Sequence, residues 1–178
     1  MRGKKLVELN DKGLWHNRGL IYQATALRNQ KKYDEALAML PDDVIAQMHP
    51  HRQGEALIER GHIFRFNKKY PEAIGEYTKV YELEGGHSGH KDLVVAEIIL
   101  SLNYAGQYDD AEAWIGKIDG IGSKYYKSSA LFRAGQIFEK NGKLEDAKAK
   151  YQAVIANGNW WKDYREKRIV EIDKKLTK

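Results

Sequence analysis

Two histidine pairs, His49-Pro50-His51 and His87-Ser88-Gly89-His90, come nearest in type and spacing to doing chemistry. Imidazoles two or three residues apart can share a metal ion, and Asp42, Asp43 or Glu84 stands close enough in the chain to add a carboxylate. The spacing matches no defined zinc signature, and both pairs fall in loop-like sequence, where histidine is common. They read as loop residues, with no metal and no cofactor. The acidic pairs Asp42-Asp43 and Asp109-Asp110 each offer two carboxylates, but they stand where helices should open. There a negative charge favourably meets the helix dipole. No serine is placed with a base and an orienting acid in a recognisable motif. "NGKLEDAKAK" and "NKKYPEA" contain glycine or lysine without the strand-before, helix-after setting of a phosphate loop. The chain has no cysteine, which excludes disulfides, thiol nucleophiles and thiolate-bound metals. Trp160, Trp161, Tyr125 and Tyr126 have the rings for stacking on bases or sugars, but aromatics at joints and chain ends pack more often than they stack. The expectation is a protein that is not an enzyme.

The elements that must position these residues are helical, and the totals bound them. With 178 residues, 42% hydrophobic and 31% charged, the chain can bury the core of one folded domain. The longest apolar run, "LVVAEIIL" at 93–100, is broken by Glu97 and falls far short of a membrane span, so no membrane insertion is expected. The start, "MRGKKLVELNDKG", lacks the hydrophobic region of a secretory leader. The expected location is the cytoplasm by default, or the periplasm if a leader has been removed. The net charge of +5 invites a nucleic-acid reading. Residues 1–5 carry Arg2, Lys4 and Lys5 without an acid, and residues 162–178 carry seven Lys or Arg against four Asp or Glu. The remainder holds 20 basic and 21 acidic residues, so the excess lies at the two ends rather than along a stripe. Nucleic acid is therefore a disfavoured partner.

The stretch "NKKYPEAIGEYTKVYEL" at 67–83 has three relatives: "NQKKYDEALAML", "AGQYDDAEAWIGKI" and "NGKLEDAKAKYQAVI". Aligned on an alanine, the anchors are Ala36, Ala73, Ala111 and Ala147, separated by 37, 38 and 36 residues. Three residues before each stands Tyr33, Tyr70, Tyr108 or Leu144, and four after stands Leu40, Tyr77, Ile115 or Tyr151. Nine before come Leu27, Phe64, Leu102 and Phe138; twelve before come Ala24, Gly61, Ile99 and Gly135. A pattern held at this many positions in four copies is an internal repeat.

The pattern resembles the tetratricopeptide repeat, a unit of two antiparallel helices with a small-residue, aromatic and alanine signature. The resemblance covers roughly residues 14–157 and implies an all-α, right-handed superhelical solenoid with a C-terminal capping helix. The repeats are expected at about 14–50, 51–87, 90–120 and 124–157, and the cap at 159–177. Small residues should fill the helix crossings, while Phe64, Phe138, Tyr77 and Tyr151 should fill the space between units. Asn29, Asn67, Gly106 and Asn141-Gly142 suit left-handed helix ends, and Pro71 suits a first helical turn. The family's pattern implies helices of about 12–16 residues. Ile99 replaces a small residue, so the third pair is expected to splay. "PDDVIAQMHPHRQG", with a proline near each end, should add a short helical turn. In the cap, Trp161, Arg165, Ile169, Ile172 and Leu176 share one face.

The resemblance also implies a function: protein–protein interaction, a protein or peptide segment held in a concave groove lined by the first helices. The family's groove positions fall on Arg18, Ile21, Tyr22, Thr25, Arg28 and Asn29 in the first unit. The second supplies Glu55, Ile58, Glu59, His62, Arg65 and Phe66. The third supplies Leu93, Ala96, Glu97, Leu100, Asn103 and Tyr104, and the fourth Ser129, Phe132, Arg133, Gln136, Glu139 and Lys140. Arginine beside Tyr or Phe is the composition favoured at protein contacts. Chaperone-binding members grip a terminal carboxylate at positions that here hold Ile21, Thr25, Glu59, Leu93 and Glu97, and two acids would repel it. A homo-oligomer is the alternative partner, because a solenoid presents large end faces. Repeats of this kind often accompany other domains in bacterial envelope proteins.

Overall fold

One backbone turn, used four times, organises the chain. The computed structural model describes residues 2–85, 87–158 and 162–177 and folds them as two helical units, Met1–His87 and Ser88–Lys178. The first unit runs α1 (Arg2–Asn29), α2 (Tyr33–Ala38), α3 (Asp42–Ala46), α4 (Pro50–Phe66) and α5 (Tyr70–Glu82). The second runs α6 (Ser88–Ala105), α7 (Tyr108–Ile115), a 3-10 turn (Ile118–Gly120), α8 (Lys124–Lys140), α9 (Leu144–Asn157) and α10 (Lys162–Leu176). No strand occurs among the described residues, and none of their helices is long and apolar enough to cross a membrane.

The hairpins are α1–α2, α4–α5, α6–α7 and α8–α9. In each, the residue five before the anchor alanine has positive φ: Lys31 (64°), Lys68 (60°), Gly106 (72°) and Gly142 (74°). The next N–H, of Lys32, Lys69, Gln107 or Lys143, donates to the carbonyl of Leu27, Phe64, Leu102 or Phe138 at 2.8–3.0 Å. This capping bond satisfies a helix-end carbonyl that would otherwise be orphaned. Asn29, Asn67 and Asn141 do not take the left-handed role expected of them: Asn29 ends α1, while Asn67 and Asn141 keep negative φ. In two hairpins a lysine takes it. A side chain at that conformation costs about 1–2 kcal/mol, against about 0.5–1 kcal/mol of extra chain entropy lost with glycine. Lys31→Gly and Lys68→Gly are therefore each expected to raise the unfolding free energy by roughly 0.5–1 kcal/mol, read from urea midpoints at constant slope.

The four anchor alanines and Ala24 are fully buried. Gly61 and Gly135 sit against tyrosine rings: a Cβ on Gly61 would lie 2.3 Å from Cε1 of Tyr77, and one on Gly135 2.5 Å from Cε1 of Tyr151. Tyr77 and Tyr151 thus close the crossings inside their own hairpins, and Tyr151 also packs with Ile172 of the following α10. The reason is the helix period: a residue four after the anchor shares the face that the anchor presents to the partner helix. Ile99, where a small residue was expected, is also fully buried, with the smaller Ile115 at the position of the tyrosines.

Helix lengths depart from the expected 12–16 residues. The first helices of hairpins two to four run 17–18 residues, whereas α2 has 6 and α7 has 8. The α2 helix stops ahead of Pro41, whose ring disfavours helical backbone in the residue before it. The α7 helix stops at Gly116, and the glycine-rich joint continues as a 3-10 turn. The extra helical turn expected between the prolines is α3, and Pro71 lies in the first turn of α5. Asp42-Asp43 and Asp109-Asp110 open α3 and α7.

Within the first unit α1 packs on α2 and α4, and α4 on α3 and α5; within the second α6 packs on α7 and α8, and α9 on α8 and α10. On α10, Ile172 is fully buried in a cluster with Ala147 and Tyr151, and Ile169 packs against it. Leu176, expected on the same face, is exposed at the last position of α10, and Trp161 lies outside the described residues.

Candidate functional site

The repeat pattern sets which first-helix side chains point outward, and the structure divides them into exposed rings and buried polar links. Tyr22 on α1, Phe66 on α4 and Tyr104 on α6 are exposed by 57%, 49% and 53%. Trp15, absent from the expected set, is exposed by 68%. It lies one helical turn before Arg18, whose guanidinium stands 5.8 Å from its ring centroid and 5.2 Å from that of Tyr22. The Nε of Arg18 also donates to Tyr22 Oη at 2.7 Å. Arg28 and Arg65 lie 5.0 and 4.5 Å from the centroid of Phe66. The first unit therefore presents rings already paired with guanidinium groups.

Behind the rings run polar links between consecutive first helices. Arg28 on α1 donates through Nε to Glu59 Oε1 on α4 at 2.6 Å, and through Nη2 to Oε2 at 3.5 Å. Burial pushes the Glu59 carboxyl up, but His62 and Arg28 more than offset this and hold it below its ordinary value. His62 Nδ1 lies 3.8 Å from Glu59 Oε2, and its ring meets Tyr77 edge-on. In the second unit Asn103 on α6 donates to Gln136 Oε1 on α8 at 3.1 Å, and Arg133 donates to the same oxygen at 2.9 Å. Lys140 donates to Asn103 Oδ1 at 2.8 Å. Arg28 and Asn103 stand eight residues before their anchors, and so does Glu139. Glu139 receives Arg168 of α10 at 2.9 and 2.6 Å and Tyr151 Oη at 3.3 Å. One repeat position thus reaches a following helix in three hairpins, and α10 receives the last link as a further first helix would.

The remaining expected residues fall into three groups. Ile21, Ile58 and Ala96 are buried in the core, as is the carboxylate of Glu59, and Asn103 is buried in its link. Thr25 donates to its own helix at Ile21 O, and Glu55 pairs with Arg52 and with His51 at 3.3 Å, so both serve α1 and α4 locally. Asn29 is exposed, whereas Leu93, Glu97, Leu100, Ser129 and Phe132 are half-buried. Of the histidine pairs, His49 caps α4, its Nδ1 accepting the His51 N–H at 3.3 Å. His87 meets the His51 ring edge-on at 5.6 Å. Trp160, with Trp161, falls outside the described residues. Buried Glu59 and Asn103 looked like surface residues in sequence; the only signal that marks them is their position on a repeat face that must meet the neighbouring first helix.

No protein-family model matches the chain, and no curated protein matches it.

Proposed function

We propose that the chain is a non-catalytic binding module of the tetratricopeptide type, a right-handed solenoid whose first helices hold a segment of another protein. The observation that supports this most is the exposure of Tyr22, Phe66 and Tyr104 on three first helices, with arginines beside two of them. Rigid rings and guanidinium groups lose little conformational entropy on contact, and they are the residues that dominate protein interfaces. The links behind them, Arg28–Glu59 and Asn103–Gln136, hold the first helices in register, so the surface is preorganised within each unit.

Substituting Tyr22, Phe66 and Tyr104 together by alanine tests this reading. Being exposed, they should each change stability by no more than about 0.5 kcal/mol. As contact residues they should each cost on the order of 2 kcal/mol of affinity. Affinity capture from lysate of the source organism, quantified by mass spectrometry, should lose specific partners with the circular dichroism and melting of the variant unchanged. An identical set of captured proteins would remove these rings as binding residues.

A further inference from the structure

Between α8 and α10, within the second unit, lies a cleft of about 370 Å³, within the size range of small-ligand sites. Its walls are the rings of Tyr125, Phe132 and Tyr164, and its polar groups are Ser128, Ser129, Arg133 and Arg165. No acidic residue is among the described residues that line it. Arg165 is 7% exposed, yet its Nε and Nη1 are buried without a hydrogen-bond acceptor. Among the described residues its guanidinium meets the Phe132 ring, 5.3 Å from the centroid, and forms no ion pair. Arg133 stands 5.4 Å from the same ring, with its Nε also buried and unbonded. Ser128 accepts from Asn157 Nδ2 at 2.8 Å, which leaves its own O–H to donate.

A buried cation without an anion is costly, and breaking up such a charge's compensation is among the larger destabilising effects in proteins. Every other buried charge described above has a partner: Glu59 has Arg28, and Glu139 has Arg168. Arg165 instead faces a ring-walled space that a ligand can enter. The missing charge is negative, and the walls set the rest of the ligand. A phosphate dianion would have to shed its hydration against three aromatic rings, whereas a singly charged head on an apolar body matches both features. We propose that this cleft binds a monocarboxylate carried on a flat apolar body, its carboxylate at Arg165 with Arg133 adding charge and the Ser128 hydroxyl donating. The body lies among Tyr125, Phe132 and Tyr164. This site takes a small molecule and uses none of the rings Tyr22, Phe66 and Tyr104 on which the reading above rests, although Ser129, Phe132 and Arg133 on α8 are groove positions that the resemblance implies. A free aromatic acid and a chain end bearing an aromatic residue share the chemistry.

The test is a calorimetric and ¹H–¹⁵N NMR titration of the full chain with phenylacetate, phenylacetamide, inorganic phosphate and a short peptide ending in a free-carboxylate phenylalanine. Phenylacetate should bind saturably and move amide signals on α8 and α10. The amide and inorganic phosphate should bind at least about tenfold more weakly, as loss of one charge-assisted contact implies. A peptide that binds more tightly than phenylacetate, and loses this on amidation, would place the carboxylate on a chain end in the same cleft. Arg165→Met should raise the phenylacetate Kd by at least about tenfold without lowering the melting temperature of the ligand-free protein, because the cation faces the Phe132 ring but no anion among the described residues, and methionine keeps the apolar contact. A purely structural arginine would show the reverse, lower melting with binding unchanged. Should that variant not fold, Arg133→Gln must weaken phenylacetate binding while leaving phenylacetamide unaffected. No saturable shift on α8 and α10, equal affinity for acid and amide, or unchanged binding by the folded variants would overturn the assignment.

Discussion

Arg28→Met is expected to lower the unfolding free energy by up to about 3–5 kcal/mol, the cost of taking a buried carboxylate's charged partner and leaving only His62 beside it. The two side chains are only 13% and 8% exposed, so water cannot replace the lost contact. Converting both, Arg28→Met with Glu59→Met, removes the desolvated charges together and should restore most of the loss, since apolar isosteres of buried ion pairs are often neutral or stabilising. The pH dependence carries a sign that distinguishes this from general loss of packing. In the parent protein the folded Glu59 carboxyl lies below its ordinary value of 4.5. Its contribution is therefore full above about that pH and is lost as pH falls through the lower, folded value. Without Arg28, burial acts with less opposition and the folded carboxyl titrates higher. Protonated Glu59 needs no cation, so the gap between parent and variant should shrink as pH falls below about 4.5. Urea titrations at pH 7 and at pH 4 measure this directly; a gap independent of pH would mean that Arg28 acts through packing alone.

What made the hairpins legible was a set of positions with a strict steric task. An alanine at a close helix crossing, a glycine under a ring and a residue three before the anchor all recur, because geometry leaves few alternatives at each. The turns were less legible, because a left-handed residue need not be glycine: Lys31 and Lys68 take the conformation and tolerate its cost. The lengths of α2 and α7 depended on Pro41 and Gly116, local stops that outweigh the period of the repeat. The candidate surface was legible only in part. Tyr22, Phe66 and Tyr104 stand exposed where the resemblance put them, but Glu59 and Asn103 at neighbouring positions are buried. A polar residue's burial is set by the helix packed next to it, and periodicity within one helix does not carry that information. The helix period did put Arg165 on the covering face of α10, where it is buried, but only the structure shows that no anion among the described residues opposes its charge.

Gly61→Leu is expected to destabilise the first unit by about 3 kcal/mol, although leucine is the better helix former by nearly 1 kcal/mol. The steric effect wins because the obstacle is immovable: a Cβ would stand 2.3 Å from a ring that is itself fully buried at the crossing. Gly61→Ala meets the same ring and should also destabilise, by less. Gly75 on α5 supplies the control, since its Cβ would meet nothing within 4 Å. Gly75→Ala should therefore gain roughly 0.5–1 kcal/mol. The first hairpin already contains the complementary solution, Ala24 with Leu40, both buried. If glycine and tyrosine form a volume-matched pair, Gly61→Ala combined with Tyr77→Leu should cost less than the two changes taken separately, by a coupling of roughly 0.5–3 kcal/mol. Gly135 and Tyr151 offer the same cycle in the second unit, where the ring contact is 2.5 Å. Strict additivity in both cycles would mean that the tyrosines yield to the new methyl group, and that the crossings are not set by the pairing of small and large side chains.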